Sequence, residues 1–453
     1  PPLPPPMKTL FKSVLFSALA GLASLGAQTP AAPAEQPPRP LTLDAALAYA
    51  LKHNPTLNRI REQVREQEGV LISVNAQRLP QANATSRYSR TDEELLAVPG
   101  GTQDTWQLEA SVSQTLYAGG GLHASSAAQR TQIEAARLAV LAQSADTLLT
   151  VRQSFYRVLL NRELIGVREE ELRVLEKEAV DARARREVGS GSDFDVLRAE
   201  VAVANAKPAL IRIRNAYRTS QDSLRQALGA PADATSENSL EIEGVLDSHG
   251  EAPELAVALR AAHDARPELL RQKQLAEAAR LGIKVARAGY LPTVSAYAAY
   301  DWTNSAYSDR WNRRLDGLTV GVKSNWAIFD GRATAGKVRQ ARSQVEQARL
   351  ALEELALAID VEVRLAHAAL VEANELLTSA EQTVAQATES LRLAQARHAA
   401  GAATQLDVLT AQVALTEARS SFSQARHDHA VAVAQLQRAS GAPPLSTEQA
   451  AAN

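Results

Sequence analysis

The chain has 453 residues, enough for two or three ordinary domains, and its 49 Lys+Arg against 51 Asp+Glu leave a formal net charge of −2. With no basic excess, nucleic acid is excluded as a partner on charge. There is no Cys, which removes thiol chemistry, Cys-ligated metals, structural disulfides and a cysteine-borne lipid anchor; aromatics are only 4% while Ala is abundant, a profile of long helices packed through small side chains.

The N-terminus argues export. Met7-Lys8 opens a basic region that includes Lys12, an apolar run follows from Val14 to Leu25, and small residues end it near Ala20, Ala23 and Ala27. This reads as a secretory signal peptide over 1–27, too short to span a membrane. Pro1 to Pro6 precede a natural-looking Met7 and read as a start-site extension. Residues 28–40, rich in Pro and Ala, read as a flexible linker. No later stretch approaches the roughly 18 uncharged apolar residues of a membrane helix.

From Leu41 to Leu51 the spacing predicts a short amphipathic helix. Asn54-Pro55 restarts the chain, and a helix is expected over about 56–77. Leu79-Pro80 ends it, because a residue before proline avoids the helical region. The period then changes to two. Trp106, Leu108, Ala110, Val112, Gln114 and Leu116 alternate with Gln107, Glu109, Ser111, Ser113 and Thr115, which predicts a strand with one apolar and one polar face. Its weaker partner is expected over about 81–91. Next comes a helix over about 122–188, with no Pro and one Gly, Gly166. At ~1.5 Å per residue it is about 100 Å long. Gly189 stops it. A returning helix over 193–229 follows, with Pro208 inside it as an expected kink.

The whole plan is then written a second time. Pro55 pairs with Pro267, and 267 − 55 = 212; the same shift takes Leu79-Pro80 to Leu291-Pro292, Gly189 to Gly401 and Asp195 to Asp407. The first repeat is 41–231 and the second 254–443, with a mixed polar linker at 232–253 and a tail at 444–453. The second repeat supplies a hairpin over 293–329, a long helix over 334–400 and a return helix over 404–440. In it, Leu318, Val320, Val322, Ser324, Trp326 and Ile328 are expected on one strand face, and Val294, Ala296, Ala298, Tyr300 and Trp302 on one face of its partner. Two copies of this length are not a solenoid of small repeats; they suit equivalent places around an axis.

Each strand is about as long as a tilted membrane strand, and all four Trp lie in the hairpin regions. Trp106, Trp302 and Trp326 are therefore expected at the membrane interfaces. Four strands cannot close a barrel, and an open edge is not tolerated in lipid, so several chains must share one. Glu109 and Lys323 would face the barrel lumen. The short helices end to end match the long one, so four antiparallel rods of equal length are expected. The fold class is mostly α, an internally duplicated α-helical barrel or coiled coil with a small transmembrane β part.

The chain resembles the TolC-like outer-membrane factors. The resemblance rests on the duplication, on Leu-Pro before each first strand, and on Tyr117-Ala118-Gly119-Gly120 and Phe329-Asp330-Gly331-Arg332 after each second strand. It rests also on Gly189…Asp195-Val196-Leu197-Arg198-Ala199 and Gly401…Asp407-Val408-Leu409-Thr410-Ala411. It implies a homotrimer in the outer membrane lipid of a Gram-negative-type bacterium, with a twelve-stranded barrel and a twelve-helix tunnel reaching into the periplasm. The implied function is a passive exit duct of a tripartite efflux pump or type I secretion system. The implied partners are a periplasmic adaptor (membrane fusion) protein and an inner-membrane transporter of RND, ABC or MFS type. A periplasmic coiled-coil adaptor or scaffold without a pore is the alternative.

At the helix turns two readings stand side by side. Ser192-x-x-Asp195 and Thr404-x-x-Asp407 have the spacing of capping boxes; repeated by symmetry, the same carboxylates form a ring that prefers cations. The resemblance puts the tightest constriction at the second turn. There Asp407 matches the family's first acid, Thr410 stands where the second would be, and Ala403 where an arginine is often found. An apolar or hydrogen-bonded closure is thus as open as an ionic one. The resemblance also implies adaptor docking at the turns, with Gly189, Val196, Leu197, Gly401, Val408 and Leu409 as candidates against plain helix packing.

No enzyme site emerges. Gly119-Gly120-Gly121 suits strand-to-helix turn geometry better than a phosphate cradle, since its repeat keeps only Gly331. His427-x-His429 splays two rings apart on a helix, and a solvated helix face accounts for them better than a metal site. No catalytic residue, metal ligand or cofactor is expected.

Overall fold

Proline, glycine and capping side chains bound the long elements. The computed structural model describes residues 36–96, 98–231, 240–246 and 252–441. Contacts divide the chain into residues 1–37 and a unit Pro38–Asn453, and all the described helices and strands belong to the second. The signal peptide, the start-site extension, part of each linker and the tail lie outside the described residues.

Helices α1 (Leu43–His53) and α2 (Pro55–Ala76) lead into strands β1 (Gln81–Arg90) and β2 (Asp104–Ala118). The long helix α3 (Gly121–Glu187) and the return helix α4 (Asp193–Leu228) follow. The second copy is α5 (Leu255–Ala265), α6 (Pro267–Arg287), β3 (Thr293–Thr303), β4 (Leu315–Asn325), α7 (Ala333–Ala399) and α8 (Gln405–Ala439). Helix α5 stands at the start of the second repeat, where no element was legible beside the mixed linker. It is the copy of α1, since 255 − 43 = 212, and its apolar face uses Ala258 and Ala262.

The rods form by end-to-end stacking. Helix α4 ends at Gly229, in the left-handed region at φ +74, where a Cβ would lie 2.6 Å from Pro55 Cδ. The α4 terminus thus abuts the start of α2. Asn54 joins them: its Nδ2 donates to the Ala227 carbonyl (2.8 Å), and its Oδ1 accepts from Thr56 N and Leu57 N (2.9 and 3.1 Å). One side chain caps both helices. Gly441 abuts Ala265 and Arg266 in the same way in the second copy. Arg266, 2% exposed, replaces the Asn there and bonds Glu268 and Glu362. Arg438 reaches the same two carboxylates and Asp146.

The two apolar cores sit at these junctions. One gathers α1, the middle of α3 and the end of α4 around Leu47, Phe155, Leu159 and Leu228; the other joins α5 to α7 and α8 around Ala262, Ile359, Val363 and Leu436. Toward the turns α3 and α4 pack through Ala179, Ala182 and Ala199, so small residues let the helices approach.

The four strands make one antiparallel sheet in the order β1-β2-β3-β4. Strand β2 runs 15 residues, longer than the ~11 expected. A bulge between Thr115 and Tyr117 sets Leu116 aside and pairs Tyr117 with Val294. Strand β4 ends at Asn325, so Trp326 and Ile328 lie beyond it, contrary to the period-two reading. Pro208 lies within the continuous helix α4.

Candidate functional site

The strand register sorts side chains onto two faces. Leu108 pairs with Trp302, Ala110 with Tyr300, Val112 with Ala298, then Tyr300 with Leu318 and Ala298 with Val320. This face is apolar, and Val112, Leu318, Val320 and Val322 stand exposed in a single chain at 45–69%. The opposite face carries the mid-sheet charges. Glu109 pairs with Asp301 and Lys323 with Ser295, and Arg87 opposite Gln107 shares that face. Tyr297, on the polar face, lies over Gly321, where a Cβ would be 2.8 Å from its hydroxyl.

Aromatics mark both rims. Trp106 and Trp302 stand at the strand ends away from the helices. Trp326 stands at the helical end, its Nε1 donating to the Tyr290 carbonyl (3.1 Å). At that end the strand-to-helix turns use paired left-handed residues, Gly119 and Gly120 at φ 60 and 77, then Gly331 and Arg332 at 64 and 72. The shared backbone geometry, with Arg in the second copy, accounts for the glycines as turn formers.

Below the sheet, α4, α3, α8 and α7 flank an open cleft of about 1020 Å³. Its wall is mixed: Arg168, Arg212, Glu417 and Asp428 alternate with apolar side chains such as Leu164, Ile213 and Leu376. Asp407, Thr410, Ala414, Glu417, Ser421, Gln424 and Asp428 recur every three or four residues along α8. The last five of them line the cleft, so Asp407 and Thr410 continue that stripe to the turn. The equivalent stripe on α4 runs from Asp195 through Arg198 to Ala209, Arg212 and Ala216, the last three again lining the cleft. This heptad-like spacing was readable in the sequence and extends the candidate set to Glu417 and Asp428.

At the turns Gly189 and Gly401 both have φ +75. Ser190 N bonds Arg185 O (2.8 Å) and Gly189 N bonds Arg186 O (3.0 Å), a Schellman stop repeated at Ala402 and Gly401. Both capping boxes are present. Thr404 N and Oγ1 donate to Asp407 Oδ2 at 2.7 and 2.8 Å; the Ser192 hydroxyl donates to Asp195 Oδ2 at 2.7 Å. The Thr404 amide and hydroxyl hold the Asp407 carboxyl below the usual range. The Ser192 hydroxyl does the same for Asp195. Both are anions near the surface while serving as caps.

The two turns differ in what they present. Phe194 and Leu197 are 63% and 60% exposed, with Arg198 stacked over Phe194 at 4.5 Å. Val408 and Leu409 are buried within the chain, and Leu409 packs with Leu175 and Ala206. Burial removes these two from the surface on which docking was expected; Val196 packs beside Ala199. Ala403 carries its backbone role alone, its carbonyl meeting His398 Nδ1 at 3.0 Å.

The family model described as outer membrane efflux protein matches residues 46–230 and again 258–442, with the same shift between them (258 − 46 = 212). The chain belongs to the outer membrane efflux protein family. Among its relatives is outer membrane efflux protein BepC of Brucella suis, 28% identical over 88% of this chain and 85% of that protein. Another is alkaline protease secretion protein AprF of Pseudomonas aeruginosa, 24% identical over 65% of this chain and 61% of that one. In fold the chain is similar to the outer membrane protein VceC of Vibrio cholerae, with a TM-score of 0.73 at 19% identity over 88% of this chain and 96% of that chain. The family places this efflux protein in the outer membrane. His427, 6% exposed, holds Asp428 Oδ1 at 2.8 Å through Nδ1 within the packed wall, so it is a buried helix residue and not the solvated one the spacing suggested.

Proposed function

We propose that three copies of this efflux protein close one twelve-stranded barrel (3 × 4 strands) over a tunnel of twelve helical rods, and that the assembly is a passive export duct. The observation that carries this reading is the sheet itself. Strands β1 and β4 each keep one edge unpaired in the single chain, while one sheet face is apolar and exposed. Such a sheet is stable in lipid only when β1 of one copy joins β4 of the next around a ring. The polar face then lines a wet lumen with Glu109 and Lys323, above the mixed cleft between the helices.

The duct's entrance is proposed at the two turns, where Asp407, Asp195 and Thr410 end the polar stripes. A ring of Asp407 carboxylates favours cations there. An adaptor of the periplasm is proposed to dock on the first turn, where Gly189 and Leu197 are exposed, and on the backbone of Gly401 at the second. Energy comes from an inner-membrane transporter, in keeping with a chain that acts as a conduit. The interfacial Trp106, Trp302 and Trp326 set the barrel's height in the membrane.

The reading is tested by planar-bilayer recording of the purified protein alongside Val320→Asp. The wild type conducts; the variant, with a charge on the lipid face of every chain, fails to insert, each Asp costing less than the about 2–4 kcal/mol of an Arg or Lys at the bilayer midplane. A variant that inserts and conducts normally would contradict the lipid-facing assignment.

A further inference from the structure

The loop joining β3 to β4 folds back onto the outer end of β2. Trp311 stacks on Trp106 with ring centroids 4.7 Å apart. Trp106 Nε1 donates to the Asp309 carbonyl (2.9 Å). Asn304 pins the base of the loop: its Oδ1 accepts from Trp106 N (3.0 Å) and its Nδ2 donates to the Asp104 carbonyl (2.9 Å). Trp106 belongs to the apolar sheet face, in register with Leu108 and Ala110. The stack therefore carries the loop to the lipid side of the outer rim.

Three arginines ride on this loop. Arg314 lies over the Trp311 ring (5.2 Å) and faces Asp316 at 3.4 Å. Arg310 and Arg313 are exposed, and neither has an ion pair or a side-chain hydrogen bond among the described residues. The neighbouring loop between β1 and β2 has the opposite charge, Asp92-Glu93-Glu94. The loop thus mounts three arginines against one acid, Asp309, on an aromatic platform, while the outer-rim Arg90 of β1 lies 3.9 Å from Asp104.

We propose that Arg310 and Arg313 form a binding surface for the phosphate groups of the outer leaflet's phosphorylated glycolipid. The inference rests on the proposed barrel orientation, which puts this loop at headgroup height. Guanidinium matches phosphate bidentately, the aliphatic stems lie along the apolar rim with the charge in the headgroup layer, and the indole stack fixes the height. The competing occupant is the acidic loop of a neighbouring copy. The fold-back onto β2 carries the arginines away from the free edge of β4, where that neighbour sits, and so favours the lipid.

The test compares the full-length wild-type oligomer with Arg310→Glu/Arg313→Glu in phosphatidylcholine nanodiscs doped with lipid A, counting bound lipid A by native mass spectrometry. The wild type retains lipid A, and the variant loses about tenfold or more in affinity. Arg310→Lys/Arg313→Lys keeps most of the binding, and dephosphorylated lipid A is held by none of the three. Equal retention by wild type and charge-reversed variant would overturn the inference, as would equal retention of dephosphorylated lipid. So would a charge-reversed oligomer that falls apart without lipid A, which would give the arginines to the neighbouring copy. A wild type that is monomeric contradicts the duct reading itself; an oligomeric wild type indifferent to phosphate contradicts this inference alone.

Discussion

Arg185, in the last turn of α3, and His398, in the last turn of α7, meet with Nη1 2.6 Å from Nε2. His398 Nδ1 is 3.0 Å from the Ala403 carbonyl, which can only accept, so Nδ1 carries the proton and Nε2 accepts from the guanidinium. The shift of 212 maps Arg186 onto His398 (186 + 212 = 398). Arg186 itself pairs with Asp193 inside the first hairpin. The duplicated plan is therefore broken here, and the contact ties one helical hairpin to the other beside the turns where the entrance is proposed.

Arg185→Ala should loosen that tie without unfolding the rods. The expected result is a rise in single-channel conductance in planar bilayers. The lost charge-assisted hydrogen bond should cost about 1 kcal/mol in this partly exposed setting, with little change in the thermal midpoint. Unchanged conductance would remove the contact from the entrance mechanism.

Asp407 is held ionised by the Thr404 amide and hydroxyl. Its folded pKa lies below the ordinary carboxylate value, so its contribution is present above about pH 4 and is lost only as pH falls through the lower folded value. Cation preference, read from the reversal potential under a salt gradient, should therefore persist on mild acidification. Asp407→Asn should weaken it at neutral pH while keeping the Thr404 cap partly satisfied.

Gly229 and Gly189 share a left-handed backbone, at φ +74 and +75, but differ in their surroundings. A Cβ at Gly229 meets Pro55 Cδ at 2.6 Å, while nothing lies within 4 Å of one at Gly189. Gly229→Ala should cost about 3 kcal/mol, from the backbone and from overpacking of the rod junction. Gly189→Ala should cost about 1 kcal/mol. Thermal unfolding of the two variants side by side checks the order.

Burial pushes the His427 ring below the usual histidine range, against the pull of the Asp428 carboxylate and with a smaller push from Arg157. A lowered folded value means the unfolded chain takes up the proton first. Stability should fall as pH drops below about 6.5 toward the folded value. His427→Gln should flatten the dependence of the thermal midpoint on pH over that window.

Local chemistry made most of the rods legible. Pro55, Gly189, Gly229 and their copies bound helices by backbone restrictions that act within a few residues. The two-faced strands were legible for the same reason, since period two is a property of neighbouring residues. Helix α5 was obscured because it is only 11 residues long and follows directly on the mixed linker; carrying the shift of 212 from α1 recovers it. The bulge at Leu116 and the end of β4 before Trp326 depend on the partner strand. The Arg185–His398 contact and the burial of Leu409 against Leu175 and Ala206 depend on the other repeat. These relationships join residues far apart in the chain and leave no local signal.

The duct stands or falls on the joining of β1 of one copy to β4 of the next. The most direct measurement is the mass of the protein extracted from outer membranes in mild detergent. A shared barrel predicts a carbonate-resistant complex of three chains. A monomer or dimer released without detergent would contradict it.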